Sequence, residues 1–449
     1  MLILLRASNP TAMPPSTSAS VVVTADQSGA PFRPAPLAGS LKGSEILRIA
    51  TEIRARLAAG ERICNLTVGD FDPRQFRVPK LLEDGTIEAL RKGETNYPPG
   101  VGMPVLRESV RRFYENALGL SYPLESILVT TGSRPGVYGT YRTLVGEGDG
   151  VIYGVPSWNN NYYTHMMGAR ALQLECGASD AFLPTRERLE PMIRGARLLA
   201  LNSPLNPTGT AFTADSLGAI CDLVLEENAR RSAAEGPLYV MYDHVYWQLT
   251  FGSVEHVNPV SLRPEIAPYT ILVDGISKAF AATGMRVGWV VGPAPAIKIM
   301  ENVLTHVGTW APRAEQIATA KLLDDLDAIS TFRESLVAGV QQRLQLLFSA
   351  IQQFRAAGHA VDAIEPMGAI YLSARFNLVG RTTRNGTRLS SADDVRKWLL
   401  EEAGMAVVPF DAFGSSTDEG WFRLSVGAVS VEDIDWALPR LRAGLDSLS

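Results

Sequence analysis

Lys278 stands in the run Gly275-Ile-Ser-Lys278-Ala-Phe-Ala-Ala-Thr-Gly284-Met-Arg286-Val-Gly288, just after an apolar stretch ending at Asp274. A lysine at a strand end, flanked by small residues, leaves room for a planar group and can be desolvated enough to act as a neutral amine. Arg286, on the following turn, is suited to hold a phosphate as a fixed cation. In Thr131-Gly132-Ser133-Arg134-Pro135-Gly136, a glycine turn opens a helix whose first N–H groups can cradle an anion. Asn202-Ser-Pro-Leu-Asn206-Pro-Thr-Gly209 and Tyr242-Asp243-His-Val-Tyr246 add an amide, a carboxylate and a phenol. Taken singly, each has a plainer reading: a lysine on a surface loop, a Pro/Asn/Gly turn, a satisfied strand-end carboxylate. Their order along one chain gives them weight.

The lysine run resembles the attachment signature of the class I and II aminotransferases, which are pyridoxal 5'-phosphate (PLP) enzymes of fold type I, like aspartate aminotransferase. The resemblance implies that Lys278 carries PLP as a Schiff base and moves the proton during transfer. It also implies that Gly132, Ser133 and Arg134 form the phosphate loop, the last two mainly through backbone amides. Trp158, in Val-Pro-Ser-Trp, would stack on the ring, Asp243 would pair with its nitrogen, and Asn206 and Tyr246 would donate to its phenolic oxygen. Arg286 would hold the phosphate, with Ser277 beside it. Tyr97 matches a tyrosine that reaches the phosphate of the neighbouring subunit, which implies a homodimer with shared sites. For the substrate, Arg423, in Trp-Phe-Arg-Leu-Ser, would clamp the α-carboxylate, the backbone of Gly69 would close over it, and Trp158 and Asn206 would also touch it.

The reaction so implied moves an amino group from an L-amino acid to a 2-oxo acid, with 2-oxoglutarate as the expected acceptor and the cytoplasm as the expected setting. PLP-dependent lyases, decarboxylases and synthases on the same fold are the alternative. Two departures stand out. Gly275 occupies the place, three residues before the lysine, where some members carry a hydroxyl, which leaves the part of Ser277 open. Dicarboxylate-specific members have a second arginine ahead of a later turn, whereas no arginine lies between Val287 and Pro312, and counting back from Pro312 lands near His306. The sequence therefore does not locate a clamp for an acidic side chain.

These residues need a scaffold. Helical spacing runs from Ile46 to Ala59, followed by a short strand over Ile63–Gly69 and a helix over Leu81–Lys92. Strand-like runs beginning at Ile127, Gly150, Ala171, Leu198, Leu238, Thr270 and Val287 then alternate with helical patterns. That alternation predicts an α/β domain around a largely parallel sheet, with functional loops at the strand ends. After Pro312 one long helical pattern continues to about Phe354, with Leu322, Leu326, Ile329, Leu336, Val340, Leu344 and Phe348 as its buried face. Strands at Ala369–Ser373 and Trp421–Ser425, a helix opening at Ser390 or Ser391 and a closing helix after Ser430 complete a smaller α+β part. The expected organisation is a poorly ordered arm (1–35), an N-terminal segment joining the small domain (36–75), a large PLP-binding domain (76–320), and a connector helix with the small domain (321–449).

Composition narrows the partners. The 449 residues are 46% hydrophobic and 20% charged, with a net charge of -5, and no basic stripe suggests nucleic acid. Cys64, Cys176 and Cys221 are isolated, and none of His165, His244, His256, His306 and His359 has a metal-ligand spacing, so neither disulfides nor a metal are expected. No apolar run reaches the length of a membrane span, and the opening Met1–Arg6 is too short for a signal peptide. The first 35 residues cannot supply a helix-turn-helix, which argues against a DNA-binding regulator.

Overall fold

The computed structural model describes residues 32–416 and 419–449, so the arm predicted over 1–35 falls almost wholly outside the described residues. The chain divides after Ser40; of the first unit Phe32–Ser40 is described, with one helical turn at Pro36–Gly39. Everything below concerns Leu41–Ser449.

The strands are β1 (Cys64–Asn65), β2 (Ile127–Thr130), β3 (Gly150–Val155), β4 (Arg170–Glu175), β5 (Ala196–Asn202), β6 (Tyr239–Asp243), β7 (Thr270–Gly275), β8 (Gly288–Val291), β9 (Val361–Ala363), β10 (Tyr371–Phe376), β11 (Met405–Ala406), β12 (Val408–Pro409) and β13 (Trp421–Ser425). Seven of them form one sheet in the order β2-β8-β7-β6-β5-β3-β4. Strands β4, β3, β5, β6 and β7 run parallel, as the alternation predicts, whereas β8 returns antiparallel to both β7 and β2. A parallel return needs a crossover helix of about a dozen residues. Between β7 and β8 the chain makes only the single turn Ile276–Ala279 and the loop that holds Arg286, so no such crossover exists.

Residues alternate across this sheet with a period of two. Ile152, Val240, Tyr242 and Leu272 belong to the core on one face, and Val151, Tyr153, Met241, Ile271 and Val273 to the core on the other. Both faces are covered, which explains why the strands read as unbroken apolar runs.

A four-stranded antiparallel sheet, in the order β12-β13-β10-β9, packs on the helix Leu326–Ala356 through Leu336, Val340, Leu344, Leu347 and Ile351. The N-terminal strand β1 pairs in parallel with β11, Cys64 opposite Met405, and so ties the N-terminal segment to the C-terminal part of the chain. The strand predicted over Ile63–Gly69 shrinks to β1 because the chain then turns toward the cavity described below.

The single long helix predicted after Pro312 is two helices, Arg313–Leu323 and Leu326–Ala356. Asp325 caps the second by accepting the Ala328 N–H at 2.9 Å, so Leu326 lies in a first turn and is exposed instead of lining the buried face. Ser391, not Ser390, caps the helix Ala392–Ala403 by accepting the Asp394 N–H. The three cysteines are buried and unpaired. Among the described residues no helix is long and apolar enough to cross a membrane, and no group of three or more His, Cys, Asp or Glu could hold a metal ion.

One turn joins the two sheets tightly. The carbonyl of Gly209 accepts the N–H groups of Met367 and Gly368, each at 2.9 Å. Its φ is +73°, and a Cβ there would stand 2.1 Å from the Tyr371 carbonyl oxygen. Gly209→Ala should therefore cost about 3 kcal/mol in denaturant unfolding, from positive-φ strain and overlap combined. Gly43→Ala, whose methyl would meet nothing within 4 Å, should change stability by less than about 0.5 kcal/mol.

Candidate active site

The parallel strands bring their carboxyl ends together in register, with Asn202 of β5 beside Asp243 of β6, and Asp243 beside Val273 of β7. The Asn202 side chain locks this edge, donating to the Asp243 carbonyl at 2.7 Å and accepting the Asn206 N–H at 2.8 Å. Above it lies a cavity of about 440 Å³. Of the residues selected from sequence, Gly69, Ser133, Arg134, Trp158, Asn206, Asp243, Tyr246, Ser277, Lys278, Arg286 and Arg423 line it. Tyr97 lies elsewhere, 80% exposed and edge-on to Trp310 with ring centres 5.0 Å apart. His306 is exposed near the end of the helix Ala294–Val307 and takes no part in the lining.

Lys278 rises from the single turn after β7. Its Nζ donates to the Gly69 carbonyl at 2.6 Å and lies 5.8 Å from the centre of the Tyr246 ring. Burial is the main cause that lowers its pKa to about 8; Arg423, Arg134 and Arg286 push the same way, while Asp70 opposes them. Asp243 Oδ1 accepts the Val245 N–H at 3.2 Å. Burial raises this carboxyl to about 6, against the pull of that hydrogen bond and of Lys278. The cavity thus holds an amine that gives up its proton easily beside a carboxyl ready to hold one.

Three arginines surround the amine. Arg286 donates to the carbonyls of Thr283 at 2.6 Å and Thr131 at 3.2 Å, which pins the lysine loop to the turn after β2. Gly132 sits in that turn at φ +80°, and a Cβ there would stand 2.2 Å from Arg286 Nη2, so only glycine fits. The helix Ser133–Leu144 starts at this point with no side chain capping its first N–H groups.

Arg423, buried on β13, donates to Asn206 Oδ1 at 3.2 Å and to the Thr67 carbonyl at 2.6 Å. Tyr371 and Phe413 flank its guanidinium, each ring centre 4.9 Å from Cζ. Its Nε has no partner among the described residues. Arg134 presents its side chain as well as the backbone amide that the resemblance singles out. Its side chain enters the cavity with the guanidinium 4.4 Å from the centre of the Trp158 ring, and no ion pair satisfies it among the described residues.

Several lining residues escape a reading of sequence. The Tyr371 hydroxyl meets that of Tyr246 at 2.5 Å, but in sequence Tyr371 is only one strand residue among many. Asp70 accepts the Thr283 hydroxyl and lies beside Gly69, where the turn signal could have pointed to it. Ile46, Leu47 and Ala50 belong to the amphipathic helix Glu45–Ala58, where spacing alone suggests a core face.

These groups fit PLP. The turn at Gly132 is a cradle that a Cβ would fill, Asp243 is a carboxylate suited to a ring nitrogen, and the unpartnered Nε of Arg423 suits a carboxylate ligand. Fold and cavity place a half-buried amine among arginines at the carboxyl edge of a parallel sheet. Residues 61–441 match the family model for aminotransferase class I and II. The aspartate aminotransferase of Rhizobium meliloti (strain 1021) is 30% identical over 435 residues, 96% of this chain and 100% of that protein. The crystal structure of the aspartate aminotransferase from Rhizobium meliloti superposes with a TM-score of 0.84 at 30% identity, over 93% of this chain and 100% of that one. That of the Thermus thermophilus enzyme with maleate gives 0.81 at 27% identity, over 92% and 100%. The chain belongs to the aminotransferase class I and II family, and it is a PLP-dependent transaminase of fold type I.

Only the neutral form of Lys278 can attack an aldehyde, and its pKa of about 8 sets where that form appears. Capture of added PLP by apo-protein, followed by absorbance, should therefore accelerate with pH about a midpoint near 8 and slow about tenfold per unit below it. A midpoint near the ordinary lysine value would show that the amine is not desolvated.

Proposed function

We propose that this enzyme holds PLP on Lys278 and transfers the amino group of L-aspartate to 2-oxoglutarate. The observation that carries the choice of substrate is the pair of cations on the cavity wall: Arg423 has an unpartnered Nε, and Arg134 is free of any ion pair among the described residues. A dicarboxylic amino acid presents two carboxylates to two such groups. The names of the Rhizobium meliloti and Thermus thermophilus relatives, and the maleate with the latter, support that reading.

Bound PLP supplies an aldehyde for amine exchange and a cationic ring that withdraws electrons from the substrate Cα. Arg423 holds the α-carboxylate and Arg134 the side-chain carboxylate, which fixes the Cα–H bond toward Lys278. Once the substrate amine has taken its place on the cofactor, the freed Lys278 Nζ, neutral and close, would take up and hold the Cα proton. Asp243 would keep the ring nitrogen protonated, Asn206 and Tyr246 would hold the phenolic oxygen, and Trp158 would cover the ring. The phosphate would be held by Arg286, by the N–H groups that open at Gly132 and Ser133, and by the hydroxyl of Ser277. Gly69 and its neighbours exclude water from above.

A homodimer completes the site when the partner subunit's Tyr97 reaches the phosphate; the exposed position of this tyrosine is consistent with that role. The same reading divides the chain into a cofactor domain (76–320) and a connector helix with a smaller domain (321–449), to which the N-terminal segment (36–75) contributes β1 beside β11.

A donor screen with purified enzyme and 2-oxoglutarate tests the proposal. L-Aspartate should be the preferred donor, and Lys278→Ala should abolish turnover. Arg134→Leu should lower kcat/KM for L-aspartate about a hundredfold, the loss of roughly 3 kcal/mol of charge-assisted hydrogen bonding, and change that for L-alanine only a few-fold. Equal losses for both donors would remove Arg134 from the side-chain subsite.

A further inference from the structure

Behind the cavity, on the far side of the strand ends, lies a buried polar cluster for which the chemistry above has no use. Asp274 is 1% exposed, at the end of β7 and four residues before Lys278. Its Oδ1 accepts the Gly275 N–H at 2.7 Å, and its Oδ2 accepts Trp247 Nε1–H at 2.9 Å and the Tyr114 hydroxyl at 3.2 Å. Tyr114 Oη accepts Trp289 Nε1–H at 3.1 Å and lies 3.0 Å from His244 Nε2. His244 Nδ1 in turn lies 3.3 Å from His256 Nε2.

One arrangement of the protons gives Asp274 a full charge. The Tyr114 hydroxyl has one proton; given to Asp274, it obliges His244 to carry its proton on Nε2 and donate to Tyr114. His244 Nδ1 is then an acceptor for His256 Nε2–H. Both imidazoles are neutral in this arrangement, in keeping with burial, which drives both well below the usual histidine range. Every donor finds an acceptor, and the sole charge is a carboxylate at Asp274 that receives three hydrogen bonds. The reverse chain, with Asp274 Oδ2–H donating to Tyr114, Tyr114 to His244 Nε2 and His244 Nδ1–H to His256 Nε2, pairs every donor as well and leaves Asp274 neutral, so the charge on Asp274 is what the experiment below decides.

We propose that Asp274 is a positioning residue: its buried charge, fixed by Trp247, Tyr114 and Gly275, holds Asp243 and Lys278 in place and strengthens the proton on the cofactor's ring nitrogen. The placement follows from the chain. Asp243 precedes His244, whose N–H donates to the Val273 carbonyl at 3.1 Å, so the cluster clamps the ends of β6 and β7 to each other. The titratable groups facing Asp274 are Tyr114 from the helix Pro104–Leu118, Asp243 at the end of β6 and His244 just after it, with His256 behind His244 and Tyr122 acting on Tyr114. Asp243 lies beside Val273, the residue before Asp274, across the two strand ends; burial raises Asp274 to about 7 against its three hydrogen bonds, and Asp243 adds to the rise. A cationic ring at Asp243 would lower both, so the charge on Asp274 and the proton on the ring support one another.

The inference rests on the assignment of Asp243 to the ring nitrogen, and the test separates the two. The far-downfield proton resonance of the ring N–H is followed against pH in holoenzyme, alongside thermal unfolding. Asp274→Asn removes the charge and keeps the shape; Trp247→Phe keeps the carboxyl, removes one donor and so favours its neutral form. Both should lower the pH at which the ring proton is lost, by about one unit for Asp274→Asn and less for Trp247→Phe. A merely structural role would lower the melting temperature and leave that pH unchanged. An unmoved midpoint in both variants overturns the proposal, and if Asp274→Asn does not fold, Trp247→Phe decides alone. A wild-type holoenzyme without the resonance would overturn the Asp243 assignment itself.

Discussion

The half-buried amine of Lys278 shares its cavity with three guanidinium groups, and that electrostatic constraint organises the rest of the site. An ammonium there is costly, so the amine is brought within reach of neutrality near physiological pH. The arrangement holds only because each arginine is fixed from elsewhere: Arg286 by carbonyls on its own loop and on the turn after β2, Arg423 by Thr67 and Asn206, and Arg134 by the Trp158 ring. Asp70 and Asp243 limit how far the repulsion goes, and the sheet sets the spacing between all of them.

The sheet does this through register. Asn202, Asp243 and the residues before Lys278 lie at adjacent carboxyl ends of β5, β6 and β7, where parallel strands converge and the loops are free to carry chemistry. Close approach requires glycine at two points: Gly132, where a Cβ would displace Arg286, and Gly288, where one would stand 2.6 Å from the Ser133 nitrogen. The fold therefore brings these turns together by omitting side chains as much as by supplying them. The buried cluster around Asp274 continues the same logic one layer deeper.

Much of this was legible in the sequence, for a physical reason. Lys278, Asp243, Asn206 and the Gly132 turn sit at strand ends, where the motif and the strand that positions it are contiguous, so local pattern carries both. The parallel core was legible because strands buried on both faces are apolar throughout. The antiparallel return of β8 was not, since strand direction depends on connection geometry and not on hydrophobicity. The break at Asp325 was hidden because helical periodicity resumes directly after it. Tyr371 and the side chain of Arg134 reach the cavity through tertiary packing; nothing in their neighbours' spacing distinguishes them. The donor network of Asp274 joins residues 114, 244, 247, 274 and 289, separations that no local pattern spans.

The central claim is that one lysine holds the cofactor. Borohydride reduction of PLP-loaded enzyme, followed by proteolysis and mass measurement of the labelled peptide, tests it directly. The label should be found on the peptide containing Lys278, at one phosphopyridoxyl group per chain. Label on another lysine, or none after full loading, would contradict the account.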